Sequence, residues 1–218
     1  MPAARRPGRA HLGGRRPRGA GAARERLAVT DPVAVFNEWM EEARAAGVEV
    51  PEAMTLATAD AAGRPSARML LLKGADERGF TFFSGYESRK GRELDENPRA
   101  ALVFYWQALG KQVRVEGVVR RLPPDESDTY WLTRPLRSRA AAAASRQSEP
   151  VASRDELEAE FKRQLELGEP PRPDRWGGYV LEPEAIELWQ HRDDRLHDRV
   201  RFTRAREGSG WSVERLAP

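Results

Sequence analysis

Glu187-Leu188-Trp189-Gln190-His191-Arg192-Asp193-Asp194-Arg195-Leu196-His197-Asp198-Arg199 is the stretch richest in planar and cationic side chains, and it holds two of the three histidines of the 218-residue chain. Arg195, His197 and Arg199 alternate; on a strand, a period of two places all three on one face. That face has two readings. It is a solvated charged strand, with Asp193, Asp194 and Asp198 answering the arginines in a salt-bridge ladder. Or it receives a flat anionic ligand, because guanidinium groups pair with phosphate and stack on rings. Spacing alone favours the ladder.

Composition narrows the classes around this stretch. With no cysteine in the chain, disulfides, thiolate catalysis and Cys-based metal sites are excluded. No run approaches the roughly eighteen apolar residues of a membrane span, and the basic N-terminus lacks the apolar centre of a signal peptide. A cytoplasmic protein without membrane contact is expected. Residues 1–26 hold eight arginines and one glutamate; the whole chain carries +3, so residues 27–218 carry a net −4. A mildly acidic body is not a nucleic-acid-binding one. Residues 1–29, rich in Arg, Gly, Ala and Pro, read as a disordered tail, and residues 30–218 as a single domain.

Within that domain, Thr30-Asp31-Pro32 starts a helix whose face is Val33, Phe36, Trp39, Met40, Ala43 and Ala46, ended by Gly47. Ala53–Asp60 and Ser66–Lys73 read as a hairpin across the turn Ala61–Arg64. Asp76–Gly79 is a turn before a strand, Phe80–Ser84. Ser88 caps a helix to Glu96, stopped at Asn97-Pro98. Arg99–Trp106 and Gln112–Leu122 are strands joined around Leu109-Gly110. A helix from Pro124 runs to Arg134, and Ser153-Arg154-Asp155-Glu156 is a capping box opening a packing helix to about Gly168. Trp176–Tyr179 begins the last strands, which end in Val200–Thr203 and Trp211–Leu216. There is no long strand–helix alternation and no Gly-x-Gly-x-x-Gly, so a dinucleotide-binding doubly wound fold is not expected. The expected class is mainly antiparallel β, a barrel with helical insertions.

Three local features carry chemical information. Arg68 and Lys73 are an odd number apart and fall on opposite faces unless a bulge intervenes. Arg89 and Lys90 occupy a first helical turn, where the dipole disfavours cations; they are ordinary surface cations, or an anion sits at the helix start and takes both the amides and the charges. Tyr130, Arg134 and Ser138 lie four apart and would share one helical face if Pro135 did not interrupt it. A phenol, a guanidinium and a hydroxyl together suit phosphate. No serine–histidine–acid order and no metal-ligand cluster is visible. If the chain is an enzyme, a cofactor supplies the hard step.

Glu187-x-Trp189-Gln190, four residues, then Arg195-Leu196-His197-Asp198-Arg199, with the ending Glu214-Arg215-Leu216-Ala217-Pro218, resembles the C-terminal signature of the pyridoxamine/pyridoxine 5′-phosphate oxidases. The resemblance runs from about Asp31 to the end. It implies an FMN-binding split β-barrel that forms a homodimer with sites across the interface. It also implies oxidation of pyridoxamine or pyridoxine 5′-phosphate to pyridoxal 5′-phosphate, with dioxygen as acceptor and hydrogen peroxide released. Arg68-Met69-Leu70-Leu71-Leu72-Lys73 resembles the flavin-binding strand, and Phe83, Ser84, Arg89 and Lys90 the flavin-phosphate site. Gln112 matches a glutamine that bonds the flavin ring, Gln147-Ser148 a cofactor-contacting pair that typically comes from the second subunit, and Trp189 and Arg199 further flavin contacts. Lys73, Tyr130, Arg134 and Ser138 match the substrate-phosphate residues. Arg195, Leu196 and His197 match those bounding the substrate ring, so Arg195 and His197 are the catalytic candidates.

Two departures stand out. The tail reads Arg15-Arg16-Pro17-Arg18 where the family has Arg-Arg-Glu-Tyr, and Arg139–Ala144 is an arginine and alanines where the family has Gln, an aliphatic residue, Gly-Ala and an aromatic. Other readings are a related flavin oxidase acting on another aromatic, as in phenazine pathways, a deazaflavin reductase of the same barrel class, and a non-enzymatic flavin or pyridoxal-phosphate carrier.

Overall fold

The structure, a computed structural model, describes residues 31–205 and 210–218. The tail expected over residues 1–29 lies outside the described residues. Helix α1 (Pro32–Ala45) begins where the Asp31 carboxylate accepts from the Val33 amide and Pro32 sits at a position that needs no donor. Its stripe of Val33, Phe36, Met40 and Ala43 is buried. Phe36 meets Phe80 and Phe104 edge-on, with centroids 4.9 and 4.8 Å away, the preferred arrangement for aromatic pairs. Trp39 is half-buried, with the Lys111 ammonium 4.5 Å from its ring. Ala46, expected on the same face, is exposed.

Nine strands form one antiparallel sheet among the described residues: β1 (Ala53–Ala59), β2 (Pro65–Leu71), β3 (Gly74–Asp76), β4 (Gly79–Gly85), β5 (Arg99–Trp106), β6 (Lys111–Arg121), β7 (Trp176–Gln190), β8 (Asp198–Arg204) and β9 (Trp211–Arg215). The order is β2-β1-β5-β6-β7-β4-β3, with β8 on β7 and β9 on β8. Strand β7 organises the rest. Its first six residues pair with β4, its last six with β8, and its other edge follows β6 from Tyr179 to Gln190. Where the partner changes, the register with β6 slips at Glu116/Gly117, opposite Pro183. A bulge is where a sheet tolerates proline and bends. The sheet thereby curls into a half-barrel, the antiparallel β class with helical insertions that the sequence pattern implies.

The helical insertions among the described residues are α2 (Arg89–Glu96), α3 (Pro124–Thr133), α4 (Leu136–Ala144) and α5 (Arg154–Glu166), with a 3-10 turn at Gln107–Leu109. Arg134 is extended between α3 and α4, so Pro135 does break the helix. The Ser153 hydroxyl caps α5 by accepting from the Glu156 amide, but Leu157, Phe161 and Leu165 reach only half-burial. Trp131 meets Trp176 at 4.9 Å. Gly177 follows because a Cβ there would lie 2.0 Å from the Tyr86 hydroxyl.

Two expectations change. Lys73 is not on a strand face opposite Arg68: β2 ends at Leu71, and the Lys73 amide bonds Thr81 as the chain crosses to β3 and β4. Arg195 and His197 are not on a strand either. Strand β8 starts at Asp198, and residues 191–197 form a turn in which Arg195 takes φ 64°. The Asp194 carboxylate accepts from the Leu196 amide, a side-chain-to-backbone bond that favours turn over ladder.

Candidate active site

The start of α2 builds a cradle of hydrogen-bond donors. Ser88 caps the helix, and the backbone comes so close that a Cβ on Gly91 would sit 1.8 Å from the Tyr86 carbonyl oxygen. Lys90 folds back from the first turn and is 5% exposed. Its ammonium donates to the Ser84 and Ser88 hydroxyls at 3.0 Å and to Gln147 Oε1 at 2.9 Å. Burial, with the Arg68 charge nearby, pushes this ammonium down to about 8, against the pull of Glu93. Gln147 Oε1 also accepts from the Ser84 hydroxyl at 3.0 Å and the Gly85 amide at 3.3 Å. One neutral oxygen thus sits among an ammonium, a hydroxyl and a backbone amide, a donor set that suits a phosphate oxygen equally well. Gln147 makes these contacts within its own chain; Ser148 beside it takes φ 74°. Arg68 and Arg89 flank the cradle and bond Glu93.

Beside it opens a cavity of about 790 Å³, ample for a cofactor and a small substrate. Met69, Leu70 and Leu71 line one side together with Lys73. Leu72 points away and is buried. Phe83 and Ser84 line the floor, and Gln147 one wall. Tyr130, Arg134 and Ser138 line it as well, although Pro135 separates two helices: the break turns α4 so that its first residues face where the end of α3 faces. Tyr130 stacks on Phe83 at 3.8 Å. The Arg134 guanidinium lies 4.6 Å from the Trp176 ring, and its Nη1 is buried without a hydrogen-bond partner. Burial lowers the Arg134 pKa, against the Tyr130 contribution, yet a guanidinium keeps its charge. Arg146 and Arg175 also line the cavity. Sequence reasoning missed both, although each adjoins a quoted motif, Gln147-Ser148 and Trp176-Gly177-Gly178.

The remaining candidates form a second cluster. Gln112, Trp189 and Arg199 are register partners across β6, β7 and β8, so they share a row on one sheet face. Arg199 donates to Glu187 at 2.8 Å and to the Ala217 carbonyl at 2.9 Å. The His197 ring is 4.8 Å from Trp189. His197 Nδ1 accepts from the Arg192 amide at 3.1 Å, which leaves the proton of a neutral ring on Nε2. Arg195 is exposed, with no side-chain partner among the described residues, and Leu196 is 67% exposed. Of the expected ladder, Asp198 answers Arg192 and Arg215, Asp193 faces His191 at 3.7 Å, and Asp194 is used by the turn. None of this cluster lines the cavity.

Two family descriptions match the chain: "Pyridoxamine 5′-phosphate oxidase" over residues 40–167 and "Pyridoxine 5′-phosphate oxidase C-terminal dimerisation region" over residues 176–218. The chain belongs to the pyridoxamine 5′-phosphate oxidase family. The oxidase of Cupriavidus taiwanensis is 54% identical over 200 residues, covering 91% of this chain and 94% of its own. That of Rubrobacter xylanophilus is 56% identical over 191 residues, covering 86% and 87%. Among solved structures, PhzG from Burkholderia lata, in complex with tetrahydrophenazine-1-carboxylic acid, superposes with a TM-score of 0.84 at 37% identity, covering 87% of this chain and 94% of its own. A pyridoxamine 5′-phosphate oxidase-related, FMN-binding protein of Nostoc punctiforme, at TM-score 0.69 and 18% identity over 87% of this chain and all of its own, shares the fold. The oxidase family's dimerisation region covers β7, β8 and β9, and with them Trp189, Arg195, His197 and Arg199. Among the described residues no helix is long and apolar enough to cross a membrane, and no group of His, Cys, Asp or Glu could hold a metal.

Proposed function

We propose that this oxidase converts pyridoxamine 5′-phosphate and pyridoxine 5′-phosphate to pyridoxal 5′-phosphate, using FMN, with dioxygen as acceptor and release of hydrogen peroxide, and of ammonia from the amine. The carrying observation is that two separate groups of cationic and hydroxyl donors lie in and beside the cavity. One is the buried Lys90 cradle; the other is Lys73, Tyr130, Arg134 and Ser138 around the cavity. Two phosphate esters, cofactor and substrate, match two such groups.

In this reading Ser84, Arg89 and Lys90 hold the FMN phosphate, with Arg68 behind them, while Met69–Leu71, Phe83, Gln147 and Ser148 bound the cofactor. Bound FMN supplies the two-electron acceptor for the substrate's C4′ carbon. Lys73, Tyr130, Arg134 and Ser138 take the substrate phosphate, and the Phe83–Tyr130–Trp176 stack excludes water beside it. Gln112, Trp189, Arg195, Leu196, His197 and Arg199 complete the cavity of a second copy, which makes the working form a homodimer. Arg199 and Trp189 then meet the flavin, and Arg195 and His197 the substrate ring. Their contribution is orientation, worth several kcal/mol of barrier in well-aligned reactions, roughly, with His197 Nε2–H available as a donor.

The test is an anaerobic mixture of the purified protein with pyridoxamine 5′-phosphate. Loss of the yellow flavin absorbance is expected, and peroxide appears when air is admitted; a flavin that stays oxidised refutes the reading. A second reading, oxidation of a larger unphosphorylated aromatic, draws on the likeness to PhzG. The donors around the cavity weigh against it, since Lys73, Tyr130, Arg134 and Ser138 together offer more donors than the two oxygens of a carboxylate use and suit the oxygens of a phosphate better. Faster bleaching by a tetrahydrophenazine carboxylic acid than by pyridoxamine 5′-phosphate would favour it.

A further inference from the structure

Glu93 is the one carboxylate among the cradle cations that sequence reasoning passed over. It lies one turn after Arg89 on α2 and is 5% exposed. Its Oε1 accepts from Arg89 Nε at 2.9 Å. Its Oε2 accepts from the hydroxyls of Thr58 and of Ser66, the latter at 2.6 Å, and from Arg68 Nη2 at 3.2 Å. The same two hydroxyls accept from Arg68, Thr58 from Nη1 at 2.6 Å and Ser66 from Nη2. The directions are forced: a guanidinium has no acceptor and a carboxylate no proton, so each hydroxyl can only receive from Arg68 and give to Glu93. Thr58 and Ser66 are register partners on β1 and β2, so two strands and a helix converge on one carboxylate. Burial pushes the Glu93 carboxyl up, but these four donors outweigh it and hold it at about 2.

We propose that Glu93 is a positioning residue for the phosphate cradle, holding the Arg68 and Arg89 side chains in the conformations that receive the FMN phosphate. This rests on the FMN reading above. A long arginine side chain loses rotamer freedom when it binds an anion; Glu93 with its two hydroxyl relays imposes that order beforehand. The charges separate this role from simple attraction. Arg68, Arg89 and Lys90 against Glu93 leave two net positive charges, which match a phosphate monoester dianion. Removing the Glu93 charge makes the cradle more positive, so attraction alone favours tighter FMN binding, whereas lost positioning weakens it.

The experiment titrates the full chain, stripped of flavin, with FMN and with riboflavin, which lacks the phosphate, following flavin fluorescence. The unaltered protein is expected to bind FMN far more tightly than riboflavin; equal binding would overturn the FMN-phosphate reading itself, and the inference with it. Glu93→Gln is expected to lose about ten- to a hundredfold in FMN affinity, the usual range for bonds to charged groups, with riboflavin binding unchanged. Ser66→Ala cuts one relay on an edge strand without changing charge, and is expected to lose FMN affinity by a smaller factor in the same direction; it decides the matter if Glu93→Gln does not fold. FMN binding that is unchanged or tighter in these variants, or equal losses for both flavins, would overturn the role of Glu93 while leaving the FMN reading intact.

Discussion

The donor cradle and the C-terminal cluster differ in how much one chain completes. In the cradle, Lys90 and Glu93 are each 5% exposed, and their polar atoms find partners on β1, β2, β4, α2 and the segment around Gln147. Burying an ammonium is costly unless it is hydrogen-bonded, so three bonds to Lys90 fix its place before any ligand arrives. In the C-terminal cluster only Gln112, Trp189 and Arg199 are set by strands; Arg195 is exposed in a turn and Leu196 is 67% exposed. Both stand out on a turn, and the family's dimerisation region spans them. In the proposed reading, one half of the site is made by folding and the other by association.

The largest expected effect breaks or confirms that division. Arg134→Ala in the cavity and Arg195→Ala in the turn should each lower kcat/KM by about a hundredfold or more, as loss of a charged contact to the reacting substrate does. Mixed after mild dissociation and reassociation, the two inactive variants should recover about a quarter of normal activity, because half of random dimers are mixed and each mixed dimer holds one intact site. No recovery would mean that both residues serve the same chain's site. Next in size, Lys90→Met should lower FMN affinity by about thirtyfold while circular dichroism shows the sheet retained, since only the cradle depends on that ammonium.

Much of this division was legible in the sequence. Asp31-Pro32 and Ser88 cap the helices they were read to cap, and Pro135 breaks the helix it was read to break. The conflict between Arg89, Lys90 and the helix dipole pointed to the helix start where Lys90 folds back onto Ser84, Ser88 and Gln147, although spacing left ordinary surface cations equally open. What stayed hidden was decided at longer range. Glu93 four residues after Arg89 looks like any surface pair; its burial comes from β1 and β2, which no local pattern contains. The alternation of Arg195, His197 and Arg199 imitates a strand, but Asp193-Asp194 are turn residues, and Asp194 turns the chain at Leu196. Strand β3, three residues long, is too short for any period to show. Trp39 was assigned to the core by spacing, whereas it is only half-buried, with the Lys111 ammonium from β6 over its ring.

A smaller effect comes from pH. The Lys90 ammonium is lowered from 10.5 to about 8, by burial first and then by the Arg68 charge, with Glu93 opposing; its other close partners are the neutral groups of Ser84, Ser88 and Gln147. Between those two values the unfolded chain keeps a proton that the folded chain has lost, so this group makes the flavin-free protein more stable as pH rises through that window. FMN affinity runs the other way: each unit above about pH 8 should cost up to about tenfold as the ammonium loses its charge. Parallel titrations with FMN and riboflavin, alongside thermal melts of the flavin-free protein, check both signs. An FMN affinity that follows riboflavin across this range would remove Lys90 from the phosphate.

The smallest effect should fall on the C-terminal cluster alone. The Asp198 carboxylate bridges Arg192 Nε at 2.6 Å and Arg215 Nη1 at 2.8 Å, tying the turn that carries Arg195 and His197 to β9. Burial pushes this carboxyl up, but the two arginines outweigh it and hold it below the usual range. The tie is therefore present above the ordinary aspartate pKa and is lost as pH falls through the depressed value. Asp198→Asn keeps the shape and removes the charge. KM for pyridoxamine 5′-phosphate should rise by about three- to fivefold, the scale of a half-exposed ion pair, and the flavin content should not change, because Trp189 and Arg199 are held by their strands. If Asp198→Asn released flavin instead, the turn would be supporting the cradle, and the separation between a folded half and an associated half of the site would fail.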